Sequence, residues 1–264
     1  MFLLLATAWV GAVGTVWAAG TNTPVEVRQK LIEYKDGAAV LEGVLVFNPA
    51  NTAKVPGVLV VPDWMGVGPF AIERASKLAE MGYIAFVADI YGKEVRPTNA
   101  QEAGAQAGKY KQDRALLRSR VNAALTVLSA QPKCDDGRLA AIGYCFGGTT
   151  VLELARSGAS VAGVVSFHGG LGSPTPVDAK NIRCKVLALH GADDPYAPAA
   201  EVAAFQEEMR AGGVNWQFTA YGGAVHSFTN PKAGNDKSTG VAYNAQADRR
   251  SWQAMTDFLH ELFP

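Results

Sequence analysis

Neither sign of charge is in excess in this chain: among 264 residues, 24 are Lys or Arg and 24 are Asp or Glu. Without surplus positive charge there is no electrostatic footprint for a phosphate backbone, which disfavours a general nucleic-acid binder. Cysteine is scarce, at three residues, and no short paired Cys/His spacing of a metal-ligand set is present. Glycine is plentiful but follows no fixed period, so a collagen-like repeat is excluded, and no internal self-similarity marks a solenoid. The remaining reading is a folded globular chain, with 48% hydrophobic and 18% charged residues. Its length fits one or two domains, and an α/β domain of this size is routinely one.

Charge is also missing from residues 1–19, which run from Phe2 through a leucine cluster to Trp17, Ala18 and Ala19. Val16 and Ala18 fit the small-residue pattern of a signal-peptidase site, although the usual positive n-region is missing and the first basic residue is Arg28. The expectation is a cleaved signal peptide, with an uncleaved membrane anchor as the alternative. Both place the folded part, residues 20–264, outside the cytoplasm, periplasmic or secreted.

Residues 26–34 and 38–47 read as strands joined at Asp36-Gly37, a strong hairpin turn. Short continuous apolar runs at 58–61, 83–88, 139–144, 161–167, 186–190 and 214–220 suit strands buried on both faces. Apolar residues at helical spacing follow Pro69, recur at 116–128, 151–155 and 202–209, and close the chain at 245–263. Residues 92–112 are polar and rich in Gly, Ala and Gln, and read as a weakly specified insertion. An opening antiparallel hairpin followed by alternating strands and helices predicts a mostly parallel, doubly wound sheet forming one domain. Sites in such sheets lie at the carboxyl ends of the strands.

Three of those loops carry chemistry. After the strand ending at Tyr144 comes Gly143-Tyr144-Cys145-Phe146-Gly147-Gly148, a G-x-C-x-G turn between strand and helix. A thiol there meets the helix N-terminus, which favours a thiolate, and the Phe146 N–H is available to an oxyanion. The plain alternative is a buried core cysteine. Asp193 and Asp194 follow the strand ending at His190, and either is a candidate to orient an imidazole or to cap the next helix. His226 follows the last strand. Nucleophile, acid and base thus occur in the order of an α/β-hydrolase triad. His168 either lines the pocket or is structural, His190 reads as structural, and His260 as solvated.

Gly143-Tyr-Cys-Phe-Gly-Gly, Gly191-Ala-Asp-Asp-Pro-Tyr-Ala-Pro and Val225-His-Ser-Phe resemble the dienelactone hydrolase family, over roughly residues 25–263. The resemblance implies an α/β-hydrolase fold with Cys145 as nucleophile, His226 as base and Asp194 rather than Asp193 as the acid. It also implies an acidic residue near the resting thiol, here Asp63, and a second oxyanion N–H from Trp64. Members that cleave dienelactone have glutamate at that position and grip the substrate carboxylate with two arginines. Here the corresponding positions hold Lys93 and Asn230, and a lysine cannot form the bidentate fork. Asp63, Tyr91, Lys93, His168 and Phe228 are the candidate substrate-binding residues, with Trp64, Phe146, Tyr91 and Phe228 making an apolar pocket.

The expected activity is hydrolysis of small-molecule esters or lactones through an acyl-enzyme, with no metal and no organic cofactor, and with no nucleic-acid or stable protein partner evident. Two alternatives remain. Gly66-Val-Gly68-Pro-Phe-Ala71, with Asp89 about twenty residues on, matches a dinucleotide fingerprint and would make the chain an NAD(P)-dependent oxidoreductase. A non-catalytic extracytoplasmic binding protein would keep the fold without the chemistry. Cys134 and Cys184 fall at the amino ends of strands, about 10 Å apart if one strand separates them, too far for a disulfide.

Overall fold

The computed structural model describes residues 25–264; the expected leader at residues 1–19 lies outside them. The chain opens with the hairpin β1 (Arg28–Asp36) and β2 (Ala39–Phe47), turned at Gly37 with φ +59°, a conformation glycine adopts without steric cost. There follow β3 (Val55–Val61), α1 (Pro69–Glu80), β4 (Ile84–Val87), α2 (Ala100–Gln112), α3 (Arg114–Ser129), β5 (Cys134–Tyr144), α4 (Phe146–Arg156), β6 (Gly163–Phe167), β7 (Lys185–Gly191), α5 (Ala199–Ala211), β8 (Trp216–Tyr221) and α6 (Ala245–Leu262). These strands form one eight-stranded sheet in the order β1-β2-β4-β3-β5-β6-β7-β8. β2 runs antiparallel to both β1 and β4, and the remaining pairs are parallel.

Each central strand feeds both sides of the sheet because successive side chains alternate. In β3, Leu59 and Val61 join the cluster covered by α2, α3, α4 and α5, while Val58 and Val60 join the one covered by α1 and α6. All four are fully buried, which is why the run reads as continuously apolar. Three residues of β5, Asp136 to Arg138, have no partner in the ladder where the register with β3 shifts, so Cys134 still pairs opposite Val55 ahead of the apolar run.

The weakly specified insertion is corrected. It contains α2, thirteen residues long, started by Asn99, whose side chain accepts from the Glu102 amide. Its buried face is Ala103, Ala107 and Tyr110, spaced four and three residues apart. Alanine supplies little hydrophobic contrast, so the stripe is faint in the sequence, yet alanine is the best helix former. Tyr110 anchors the helix by donating to the Tyr91 carbonyl at 3.1 Å.

The two faces of the fold respond differently to truncation. Leu59 is fully buried at the sheet centre, and Leu31 on the edge strand is 64% exposed. Leu59→Ala is expected to cost about 2–5 kcal/mol in urea denaturation, and Leu31→Ala no more than about 0.5 kcal/mol.

Candidate active site

Cys145 sits alone between β5 and α4 with φ 53° and ψ −112°, a conformation that costs a non-glycine residue roughly 1–3 kcal/mol. It survives because the surrounding backbone is packed too closely to relax. A Cβ added at Gly143 would meet the Gly147 carbonyl, and one at Gly147 would meet the Val61 carbonyl at the end of β3. At Gly148 it would come within 2.8 Å of the Gly169 Cα. These are the small residues the turn motif called for. The Cys145 amide donates to the Phe167 carbonyl at 3.0 Å, tying the turn to β6.

His226 arrives from the loop after β8. Its Nε2 lies 3.0 Å from Cys145 Sγ, and its Nδ1 lies 2.8 Å from Asp194 Oδ2. The loop is held in register by the His226 amide donating to the Gly240 carbonyl at 3.1 Å and its own carbonyl accepting from Ala242 at 3.1 Å. Asp194 is buried, and its other oxygen accepts from the Tyr196 amide at 2.9 Å, leaving Oδ2 for the imidazole. Asp193 is exposed. Burial pulls the His226 pKa down, but hydrogen bonds to Asp194 and Cys145 and the charges on both outweigh it, raising it to about 10.

A cavity of about 340 Å³ opens on this group, lined by Trp64, Lys111, Cys145, Tyr196, His226 and Val241 among others. Among the described residues, neither the Phe146 nor the Trp64 amide donates to another protein group. Asp63, beside Trp64, accepts from the Met65 amide at 2.9 Å; burial raises its pKa, against the Met65 hydrogen bond and the His226 charge.

The expected substrate contacts change. Lys93 does not reach the cavity: it is paired with Glu33 at 2.8 Å and Glu42 at 3.5 Å on the hairpin. Arg96 is likewise spent on the Gly92 carbonyl at 2.6 Å and on Asp89 at 3.3 Å. His168 and Phe228 are fully enclosed and pack edge-on with ring centroids 5.1 Å apart, so they lie behind the cavity rather than in it. Tyr91 is buried and stacks on Tyr110; its hydroxyl donates to the Trp64 carbonyl at 3.0 Å, tying down the backbone just after Trp64. Asn230 caps a short 3-10 turn by accepting from Lys232. Among the lining residues missed from sequence are Lys111, Tyr196 and Val241. Lys111 belongs to α2, whose register was not legible, and Tyr196 follows the acid in a loop read only for its aspartates.

Asp89, the acid of the dinucleotide reading, is 2% exposed and accepts from the Glu42, Tyr91 and Gly92 amides, so it is occupied inside the fold. All three cysteines are free thiols, with β6 between the strands that carry or follow Cys134 and Cys184. Burial pushes both of those thiols up to about 11.

The dienelactone hydrolase family profile matches residues 42–263. A solved structure named m3DLH is 43% identical, covering 90% of this chain and 99% of its own, with a TM-score of 0.87. A dienelactone hydrolase-like promiscuous phosphotriesterase from metagenomic libraries is 42% identical over the same shares, with a TM-score of 0.86. A candidate carboxymethylenebutenolidase of Methylorubrum extorquens is 28% identical over 81% of this chain and 74% of its own length. With its mostly parallel sheet and opening hairpin, the chain belongs to the dienelactone hydrolase family and is a carboxylic ester or lactone hydrolase.

Proposed function

We propose that the chain hydrolyses small, uncharged esters or lactones through a covalent acyl-enzyme on Cys145. The observation that carries this is the unbroken line from Asp194 to His226 to Cys145, at 2.8 and 3.0 Å, facing a cavity beside two amides without protein partners. In the resting enzyme the Cys145 thiol has already given its proton to His226 Nε2, and the thiolate of this pair attacks the substrate carbonyl carbon. The Phe146 and Trp64 amides hold the resulting oxyanion. Collapse of the tetrahedral intermediate breaks the carbon–oxygen bond, and His226 gives its proton to the leaving oxygen. Water, deprotonated by His226, then attacks the thioester, and the carboxylate and free thiolate are restored. Asp194 keeps the imidazole in the Nδ1–H tautomer and stabilises its charge.

The substrate class follows from what the two arginine positions have become. Lys93 is paired on the hairpin and Asn230 caps a turn, so neither of these two positions offers a carboxylate a bidentate fork. Lys111 is a single ammonium on the exposed side of the cavity, weaker than a fork at gripping a planar anion. Trp64, Tyr196, Ala197 and Val241 give the cavity apolar walls. An uncharged phosphotriester shares the uncharged, apolar character of such substrates, and the 42% identical phosphotriesterase makes aryl dialkyl phosphates a second assay. Residues 20–264 are proposed as one domain, and the charge-free segment at 1–19 as its export signal.

Cys145→Ala should abolish ester hydrolysis while leaving the circular dichroism spectrum unchanged. Asp194→Asn should lower kcat by at least about 100-fold, because the tautomer is lost, with Asp193→Asn within about two-fold of wild type.

Because Cys134 and Cys184 are held up at about 11, iodoacetamide at pH 7.5 should label Cys145 first, as peptide mapping will show. The raised His226 keeps the imidazolium until about 10. Acylation needs that proton for the leaving group, so kcat/KM should hold through neutral pH and fall only near pH 10. In Asp194→Asn the fall should come at lower pH, since a stabilising partner is lost.

In a matched pair, the methyl ester of a carboxylated lactone should have a higher kcat/KM than the free carboxylate. Steady-state kinetics on the two compounds measures this.

A further inference from the structure

His168 directly follows β6 with φ 40° and is 2% exposed. Its Nδ1 lies 3.1 Å from the Cys145 backbone nitrogen, and its Nε2 lies 2.8 Å from Thr229 Oγ1. A backbone N–H can only donate, so Nδ1 accepts, and the ring proton is on Nε2, donated to the threonine hydroxyl. Thr229 belongs to the loop that carries His226, three residues further on. Its carbonyl accepts from Arg74 Nη2 at 2.6 Å, and Arg74 is paired with Asp248 at 3.1 Å. The Arg74 guanidinium is sandwiched by Phe70, Tyr144 and Trp252. Bonded groups therefore run from α6 through α1 and the His226 loop to the amide of Cys145 itself.

We propose that His168 is a positioning residue, kept as the neutral Nε2–H tautomer, that sets the spacing between the Cys145 turn and the His226 loop. This rests on Cys145 and His226 being nucleophile and base. The Cys145 turn has an unfavourable φ, and its amide is shared between the Phe167 carbonyl and His168 Nδ1. Thr229 on the other side of the ring fixes the base loop. One imidazole thus bridges the two segments whose separation decides the 3.0 Å contact between Sγ and Nε2.

A charged His168 is incompatible with this site. A proton on Nδ1 would face the Cys145 N–H, and a second cation would stand beside His226, ring centroids 5.3 Å apart. Burial, and the charges of His226, Arg74 and His190 around it, hold the ring well below its ordinary pKa. Tyr144 on β5 packs against the ring, 6.1 Å between centroids, and Asp248 is engaged by Arg74 behind it.

Long-range 15N–1H spectra of 15N-histidine-labelled protein test the tautomer. One of the four imidazoles should keep the Nε2–H pattern from about pH 5 to pH 9, and this signal should vanish in His168→Asn. An imidazolium or Nδ1–H pattern for that ring overturns the proposal. His168→Asn tolerates positive φ and retains an oxygen, Oδ1, near the place of Nδ1; His168→Ala retains no acceptor. The asparagine variant should keep kcat within about five-fold, and the alanine variant should lose about 30-fold or more, with KM in both within about two-fold. Alkylation of Cys145 at pH 6.5 should slow in the alanine variant alone. Equal impairment of the two variants, or a loss carried by KM, overturns it. Should His168→Ala not fold, Thr229→Val serves: kcat should fall about three- to ten-fold through the orphaned Nε2–H, and an unchanged kcat overturns the proposal. Active Cys145→Ala would instead overturn the nucleophile reading, which the tautomer measurement does not touch.

Discussion

The site hangs on a close approach of backbones: the β5–α4 turn is pressed between the carboxyl ends of β3 and β6 with no room for a side chain at Gly143 or Gly147. That approach forces Cys145 into φ 53°, lifts its sulfur clear of the sheet and leaves the Phe146 amide free at the start of α4. Strain at one residue is supported by several independent contacts, including the Phe167 carbonyl and the His168 ring. A rigid thiol makes the remaining task one of delivery. Two further loops must bring a carboxylate and an imidazole to a fixed sulfur, and the parallel strand order places all three loops at the same edge.

The electrostatics follow from that delivery. Burial alone would leave His226 neutral, and its two partners reverse the outcome. Next to it, His168 experiences the same burial without a carboxylate and stays neutral. Two imidazoles whose ring centroids lie 5.3 Å apart are therefore driven in opposite directions, His226 upward by its hydrogen bonds and charged partners and His168 downward by burial, the charged one facing the cavity and the neutral one facing the core.

Much of this was legible in the sequence because the relevant signals are local. Gly143, Gly147 and Cys145 mark a strand-to-helix turn, and the order of Asp194 and His226 along the chain reflects strand order. The substrate walls were not legible, for two reasons. α2 is built on alanine, whose buried stripe at Ala103 and Ala107 has little contrast with its exposed face, so Lys111 could not be aimed. The resemblance puts Lys93 where an arginine would grip the substrate, but here it finds two glutamates on the hairpin, and His168 and Phe228, next to strand ends, turn inward. Those choices depend on pairings between residues distant in the chain, which a periodicity cannot show.

The central claim is that catalysis passes through a thioester on Cys145. Mixing the enzyme with an aryl ester whose acyl group leaves slowly, quenching in acid within the burst and mapping the peptides by mass spectrometry tests it most directly. The account predicts one acyl increment per chain on the peptide containing Cys145, gone after full turnover. Turnover with no increment on that peptide, or an increment on another residue, would contradict it.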